Sequence, residues 1–229
     1  PRMTLLLRTL VSEGRGVAAE PIGGARATAF RYASMATWAP DVGPPLPVEE
    51  ALAVMAPLWM RANGPGTIDD LAWWAGVTKT RSKAALAAMG ARVVEVDGIQ
   101  GEQWATEEVV DGLATAKPSG SVRFLPVWDA WQMARRERSR ILDERRQPFV
   151  VDRSGNVTNT IVVDGRVAGV WDEDGTTIVV HLFERIDQGV LTAAAERLRP
   201  LADWTDLRQV GRARPLDEGG QNAFRAPLR

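Results

Sequence analysis

Two groups of basic side chains in this chain of 229 residues have the spacing to hold phosphate oxygens. Lys79, Arg81 and Lys83 follow Thr78, a residue type that caps helix starts, so all three fall in the first turns of an expected helix. The unpaired N–H groups of a helix start favour an anion, as the side chains do. A solvated helix face is the competing reading of this cluster. The second group runs from Met133 to Arg146 and holds six arginines against three acids. Guanidinium forks match phosphate geometry. A helix expected over Trp128 to Leu142 divides these arginines. Arg138 falls on its apolar stripe with Trp131 and Ile141, so it is expected to pair with a carboxylate such as Asp129 or Asp164. Arg136 and Arg140 point away from that stripe, and with Arg145 and Arg146 they are the phosphate candidates.

Other chemistries find little support. There is no cysteine and His181 is the single histidine, so a thiolate or zinc site is not expected, and no cofactor is. His181 reads as a satisfied strand residue. The acidic pairs Glu49-Glu50 and Asp69-Asp70 stand at helix starts, where the helix dipole accounts for them. No phosphate-binding glycine loop, dinucleotide fingerprint or nucleophile elbow occurs. Net charge is −1, so attraction for a polyanion must be local. No apolar run approaches the ~20 residues of a membrane helix, and a cytoplasmic setting without membrane association is expected. The chain opens at Pro1-Arg2-Met3 and runs straight into an apolar helix pattern, so further residues upstream are expected.

The elements that must position these residues follow from local signals. Met3 to Glu13 reads as a helix, followed by a hairpin of Val17–Ile22 and Ala27–Ser34 across Gly23-Gly24. The stretch "DVGPPLP" at 41–47 is a linker. Val48 to Ala62 reads as a helix with Ala51, Val54, Met55, Leu58 and Trp59 on its apolar stripe. Thr67 and Asp70 form a capping-box pattern for a helix ending at Gly76, with Ile68, Leu71, Ala72 and Ala75 inward. That helix also carries Trp73 and Trp74, which read either as both in the core or as one in the core and the other against a neighbouring domain. Thr78 caps the next helix, which Gly90 closes. Arg92–Val96 and Ile99–Trp104 then flank Asp97-Gly98, a two-residue hairpin signal. Helix, helix, turn, helix, hairpin is the order of a winged helix-turn-helix. Beyond a polar link at 111–119 comes a strand at Val122–Val127. An antiparallel meander then runs over Thr160–Val163, Arg166–Trp171 and Thr176–Leu182, followed by a helix from Gln188 to Arg199. The expected class is α+β, with three domains: residues 1–40 as the end of one winged-helix unit, 41–116 as a complete one, and 117–229 as a C-terminal α+β domain.

Three stretches together carry a family resemblance: "GTIDDLAWWAGVTKTRSKAALAAMG", "VRFLPVWDAWQMARRERSRIL" and "VVDGRVAGVW". They resemble the winged-helix DNA glycosylases that act on alkylated bases and interstrand crosslinks, and the resemblance extends from about Leu5 to Trp204. It implies tandem winged helices followed by a β-containing C-terminal part, with double-stranded DNA as partner through its phosphate backbone. It also implies base excision in DNA repair. The family's catalytic Gln-x-Gln or Gln-x-Asp motif lies in an N-terminal region. Here Gln100 and Gln103 fall on the expected hairpin, and neither motif occurs, so no catalytic residue carries over. Two expectations stand side by side: the DNA-gripping portion of a repair glycosylase, or a non-catalytic winged-helix binding or regulatory module.

Overall fold

The computed structural model describes residues 2–22, 29–99, 101–200 and 203–216. Two compact units are present, residues 1–51 and 52–229, and the boundary between them falls within one helix. The chain is a mixed α+β protein with antiparallel sheets.

In the first unit, helix α1 (Arg2–Ser12) leads through Gly14, whose φ of +68° suits glycine, into strands β1 (Gly16–Pro21) and β2 (Phe30–Ser34). The strands pair antiparallel with Gly16 opposite Ser34. The expected turn at Gly23-Gly24 lies outside the described residues. A short helix α2 (Met35–Trp38) follows. Leu7 and Leu10 are half-buried, and with Tyr32, Met35 and Val42 they line a shallow apolar recess.

Helix α3 (Val48–Asn63) continues into the second unit. Its buried residues there are Leu52, Ala56, Trp59, Met60 and Asn63, while Val54, Met55 and Leu58 are exposed. The expected stripe was therefore misplaced around the helix except at Trp59. α3 is apolar on nearly every side, so periodicity alone admits more than one inward face.

Helices α4 (Ile68–Ala75) and α5 (Lys79–Ala88) form as their caps dictate. Thr67 and Asp70 make the full capping box, Gly76 takes the left-handed conformation at φ +66°, and the Thr78 hydroxyl accepts from the Arg81 N–H. Trp59, Met60, Leu71 and Leu86 form the centre of a helical core. Trp74 packs against it, and Trp73 is exposed.

Strands β3 (Arg92–Val94) and β4 (Gln103–Ala105) pair with Val94 opposite Gln103. Both strands are shorter than expected, so Asp97-Gly98 is not a two-residue turn joining them directly. Those two still make a local turn, closed by Ile99 N–H on the Val96 carbonyl. Helix α6 (Glu107–Thr115) covers part of what reads in sequence as a polar link.

The C-terminal sheet has the order β5 (Val122–Leu125), β6 (Thr160–Val163), β7 (Arg166–Asp174), β8 (Thr177–Leu182), β9 (Asp206–Gln209). The first four strands run antiparallel as a meander, with Asp164-Gly165 as the tight turn between β6 and β7. β9 joins β8 in parallel after helix α9 (Gln188–Ala195). Alternation sends Phe124, Ile161, Trp171, Ile178 and Val180 to one face, under α9 and Trp204. The opposite face presents Val162, Val167 and Val170 to Ile141, Leu142 and Val150.

The expected helix over Trp128–Leu142 is a single turn, α7 (Ala130–Met133), capped by Asp129. Beyond it the chain turns irregularly to a 3₁₀ turn at Glu144–Arg146 and the short helix α8 (Gln147–Val150). The reason is tertiary. The backbone N–H of Arg136, which a helix would bond to a carbonyl four residues back, donates instead to the Asp70 carboxylate at 2.9 Å.

Candidate nucleic-acid interface

Asp69 and Asp70 organise the basic residues from opposite sides of one helix start. Asp70 is 4 % exposed. Its Oδ2 accepts from the Thr67 N–H at 3.2 Å and the Thr67 hydroxyl at 2.8 Å, which completes the α4 cap. Its Oδ1 accepts from the Arg136 N–H. One buried carboxylate thus fixes both the start of α4 and the arginine-rich segment 66 residues later. Ser82, buried in α5, donates to the Ile68 carbonyl at 2.9 Å and sets the angle of α5 on α4.

Asp69 faces outward. Its Oδ2 lies 2.8 Å from Lys79 Nζ and 3.6 Å from an Arg136 nitrogen, so one carboxylate holds two cations. The structure therefore brings together residues from the two basic groups that the sequence shows 57 positions apart. A recess of about 510 Å³ opens beside them, bordered by Thr67, Asp69, Arg136, Arg138 and Gln147. Arg81 and Lys83 are exposed on α5, and Lys83 borders a second shallow recess with Lys79 and Asp69.

The remaining arginines have other surroundings. Arg138 does not pair with Asp129 or Asp164. Its Nε donates to the Gln132 carbonyl and its Nη2 to the Gly155 carbonyl, each at 3.4 Å. Asp129 caps α7, and Asp164 receives the backbone N–H groups of Ser119, Gly120 and Ser121 at 3.1 Å each. Arg140 reaches inward to the Pro65 carbonyl and, at 3.5 Å, to Gln103 Oε1. The helix reasoning that pointed it outward does not apply, because no helix runs there. Arg135, which sequence reasoning left without a role, is 6 % exposed and donates to the Asn63 carbonyl. Burial, and then the nearby Arg140 charge, push its guanidinium below the ordinary value, while Asp70 opposes the shift. Burial likewise lowers Arg138 and Arg140. Asp70 offsets the charge of both Arg135 and the half-buried Arg140, and Glu137 adds to it at Arg140.

Arg145 forms a two-pronged pair with Asp143, at 2.8 and 3.1 Å, which holds the Asp143 carboxyl down at about 2. Arg146 lies 5.0 Å over the Phe183 ring. Among the described residues, the contacts of these two run to Asp143 and Phe183 and not to the Asp69 group. His181 bonds the Val210 carbonyl through Nδ1 at 3.1 Å and packs edge-on to Phe183. Among the described residues, no cluster of acids and histidine has the makings of a metal site, and no helix is long and apolar enough to cross a membrane.

Chemically, the arrangement presents cations around an outward carboxylate at a helix start, with no nucleophile–base pair among them. It can bind an anionic backbone by charge and N–H donation.

Comparison with known proteins gives the same direction. The family described as "DNA glycosylase AlkZ-like" matches residues 2–204. An interstrand DNA cross-link repair glycosylase of Streptomyces sahachiroi is 27 % identical over 140 residues, which are 59 % of this chain and 38 % of that protein. The solved structure of the Streptomyces sahachiroi DNA glycosylase AlkZ superposes with a TM-score of 0.73 at 22 % identity, covering 90 % of this chain and 57 % of that one. At that identity the likeness establishes the fold. The chain spans less than two-thirds of the length of either relative.

Proposed function

The chain belongs to the AlkZ-like DNA glycosylase family, and we propose that its second compact unit grips duplex DNA for a repair glycosylase acting on alkylated or crosslinked bases. The observation that carries this reading is the convergence of Lys79 and Arg136 on Asp69 at the mouth of a recess.

In this reading α3, α4, α5 and the β3–β4 hairpin are a winged helix-turn-helix, with α5 as the element laid against the duplex. α1 with β1 and β2 is the end of a second such unit. Lys79, Arg81, Lys83 and Arg136 contact phosphates. Arg145 and Arg146 extend the basic surface, and Arg140 acts from behind by supporting the Pro65 turn. Phosphate contacts position a duplex without reading bases, which suits a protein that must inspect many sequences. Cutting an N-glycosidic bond also needs an extruded nucleotide and a group that positions water or stabilises the sugar cation. Neither glutamine motif of the family occurs in these residues, so the grip, and not the bond cleavage, is assigned to this surface. A DNA substrate places the protein in the compartment that holds DNA.

Fluorescence anisotropy with a labelled duplex tests this. Affinity should be the same for unrelated sequences and fall steeply between 50 and 200 mM salt, on the order of tenfold or more for a few phosphate contacts. Absence of duplex binding at 50 mM salt would overturn the reading.

A further inference from the structure

Among the described residues, three acids border the cationic recess, and two of them are committed to the backbone. Asp70 completes the α4 cap and holds the Arg136 N–H. Glu137 accepts from the Ser139 N–H at 2.8 Å and from the Ser139 hydroxyl at 2.6 Å. Asp69 differs from both. Thr67 and Asp70 complete the cap between them, and the Asp69 carboxylate turns outward to two exposed cations. Lys79 and Arg136 come from separate parts of the chain, yet both meet the same Oδ2. A carboxylate oxygen in that place takes the donors that a phosphate oxygen would take.

Position and energetics both make this contact exchangeable. Asp69 lies on the rim of both recesses, the one beside Arg136 and the one beside Lys83. A phosphate backbone laid from α5 toward Arg136 therefore crosses the carboxylate. The Lys79 and Arg136 side chains are 67 % and 64 % exposed, and ion pairs so open to water hold weakly. A DNA phosphate, backed by the charge of its neighbours along the strand, competes well for the same two cations. While Asp69 stays, two cations and one carboxylate sum to +1, so the group neutralises about one phosphate where the cations alone would neutralise about two.

We propose that Asp69 occupies a phosphate position in the free protein and restrains the grip on DNA, because a duplex phosphate must displace it from Lys79 and Arg136. The contact is autoinhibitory. It weakens the hold on any one stretch of backbone and so speeds release to the next. The inference rests on the duplex-binding reading above and adds to it a limit on the strength of that binding.

Asp69→Asn keeps the size of the side chain and removes its charge, and it should melt within a few degrees of wild type because Thr67 and Asp70 still cap α4. Its slope of log affinity against log salt should be steeper than that of wild type by about 0.9, the share of one further phosphate. With equal affinities at about 1 M salt, that slope amounts to about 15-fold tighter duplex binding at 50 mM and about 4-fold at 200 mM. A double-mutant cycle separates exchange from general repulsion. Lys79→Ala with Arg136→Ala removes both cations but keeps the Thr78 cap and the Arg136 N–H that Asp70 holds. Adding Asp69→Asn to that variant should change neither slope nor affinity. A gain that persists there would show Asp69 repelling DNA at large, and would overturn the proposal. Unchanged or weaker binding by Asp69→Asn alone would make the carboxylate a brace for the cations and overturn it too, while leaving the duplex grip intact. Loss of the folded state in Asp69→Asn would make the carboxylate structural and overturn it equally. Failure of all these proteins, wild type included, to bind duplex at 50 mM salt would refute the reading beneath the proposal, and the proposal with it.

Discussion

Replacing Asp70 by alanine should loosen the fold far more than replacing its capping partner Thr67. Two contributions can be separated. Without Asp70, α4 loses the reciprocal half of its capping box, worth about 1 kcal/mol. The Arg136 N–H also loses its 2.9 Å acceptor in a part-buried contact, and a donor left unpaired there costs about 1–3 kcal/mol. The Arg135 and Arg140 pair loses the opposing charge that offsets their burial. The sum is about 2–4 kcal/mol. At roughly 2–4 °C per kcal/mol for a protein of this size, the melting temperature should fall by about 4–16 °C. Thr67→Ala removes only the cap and should cost about 2–4 °C. Asp70→Asn keeps the shape but turns one oxygen into a donor, which faces either the Thr67 or the Arg136 N–H, so it should lie between the two. Circular dichroism melts of the three variants decide the matter. If Asp70→Ala and Thr67→Ala melt together, Asp70 does not hold the 135–140 segment, and the joining of the two basic groups loses its support.

Other perturbations follow from single contacts. Gly66→Ala would place a methyl 2.5 Å from Cη2 of the buried Trp59, on a backbone pinned in both directions to Trp104, and should destabilise by about 1–3 kcal/mol in urea titration. Asp143 should titrate near 2 by carbon-detected NMR, and Arg145→Ala should return it toward 3.8. Because the folded value is depressed, the benefit of this pair is present above the ordinary carboxylate range and lost as pH falls through about 2. Incubated with alkylated duplex, this chain should release no bases above a buffer control, scored as abasic sites. Turnover would place the cleaving group among these residues.

What the sequence disclosed, it disclosed through short-range chemistry. The Thr67–Asp70 box, the left-handed Gly76, the Thr78 cap and the Asp164-Gly165 turn are each written within a few residues, and each formed as expected. The meander of β6 to β8 was legible because apolar alternation and turn residues agree. What failed depends on distant partners. The helix expected through Arg138 stops after Met133, because the Arg136 N–H is taken by Asp70 from far earlier in the chain. The side chains of Arg138 and Arg140 then turn to backbone carbonyls that no periodicity reveals. β9 pairs in parallel with a strand well upstream, and nothing local announces such a pairing. The inward face of α3 was misjudged because apolar residues surround that helix. For the candidate site, the cations were visible, but their meeting at Asp69 was not. Lys79 and Arg136 belong to separate stretches, and only the fold sets them on one carboxylate.

The salt dependence of duplex affinity, measured side by side for wild type and the combined Lys79→Ala, Arg81→Ala, Lys83→Ala variant, tests the proposed grip most directly. Each phosphate contact contributes about 0.9 to the slope of log affinity against log salt. The account predicts a wild-type slope that the variant reduces by about 2–3, with weaker binding on every duplex sequence alike and an unchanged melting temperature. An identical slope and affinity in the two proteins would contradict it, and would show that DNA, if bound, rests on another surface.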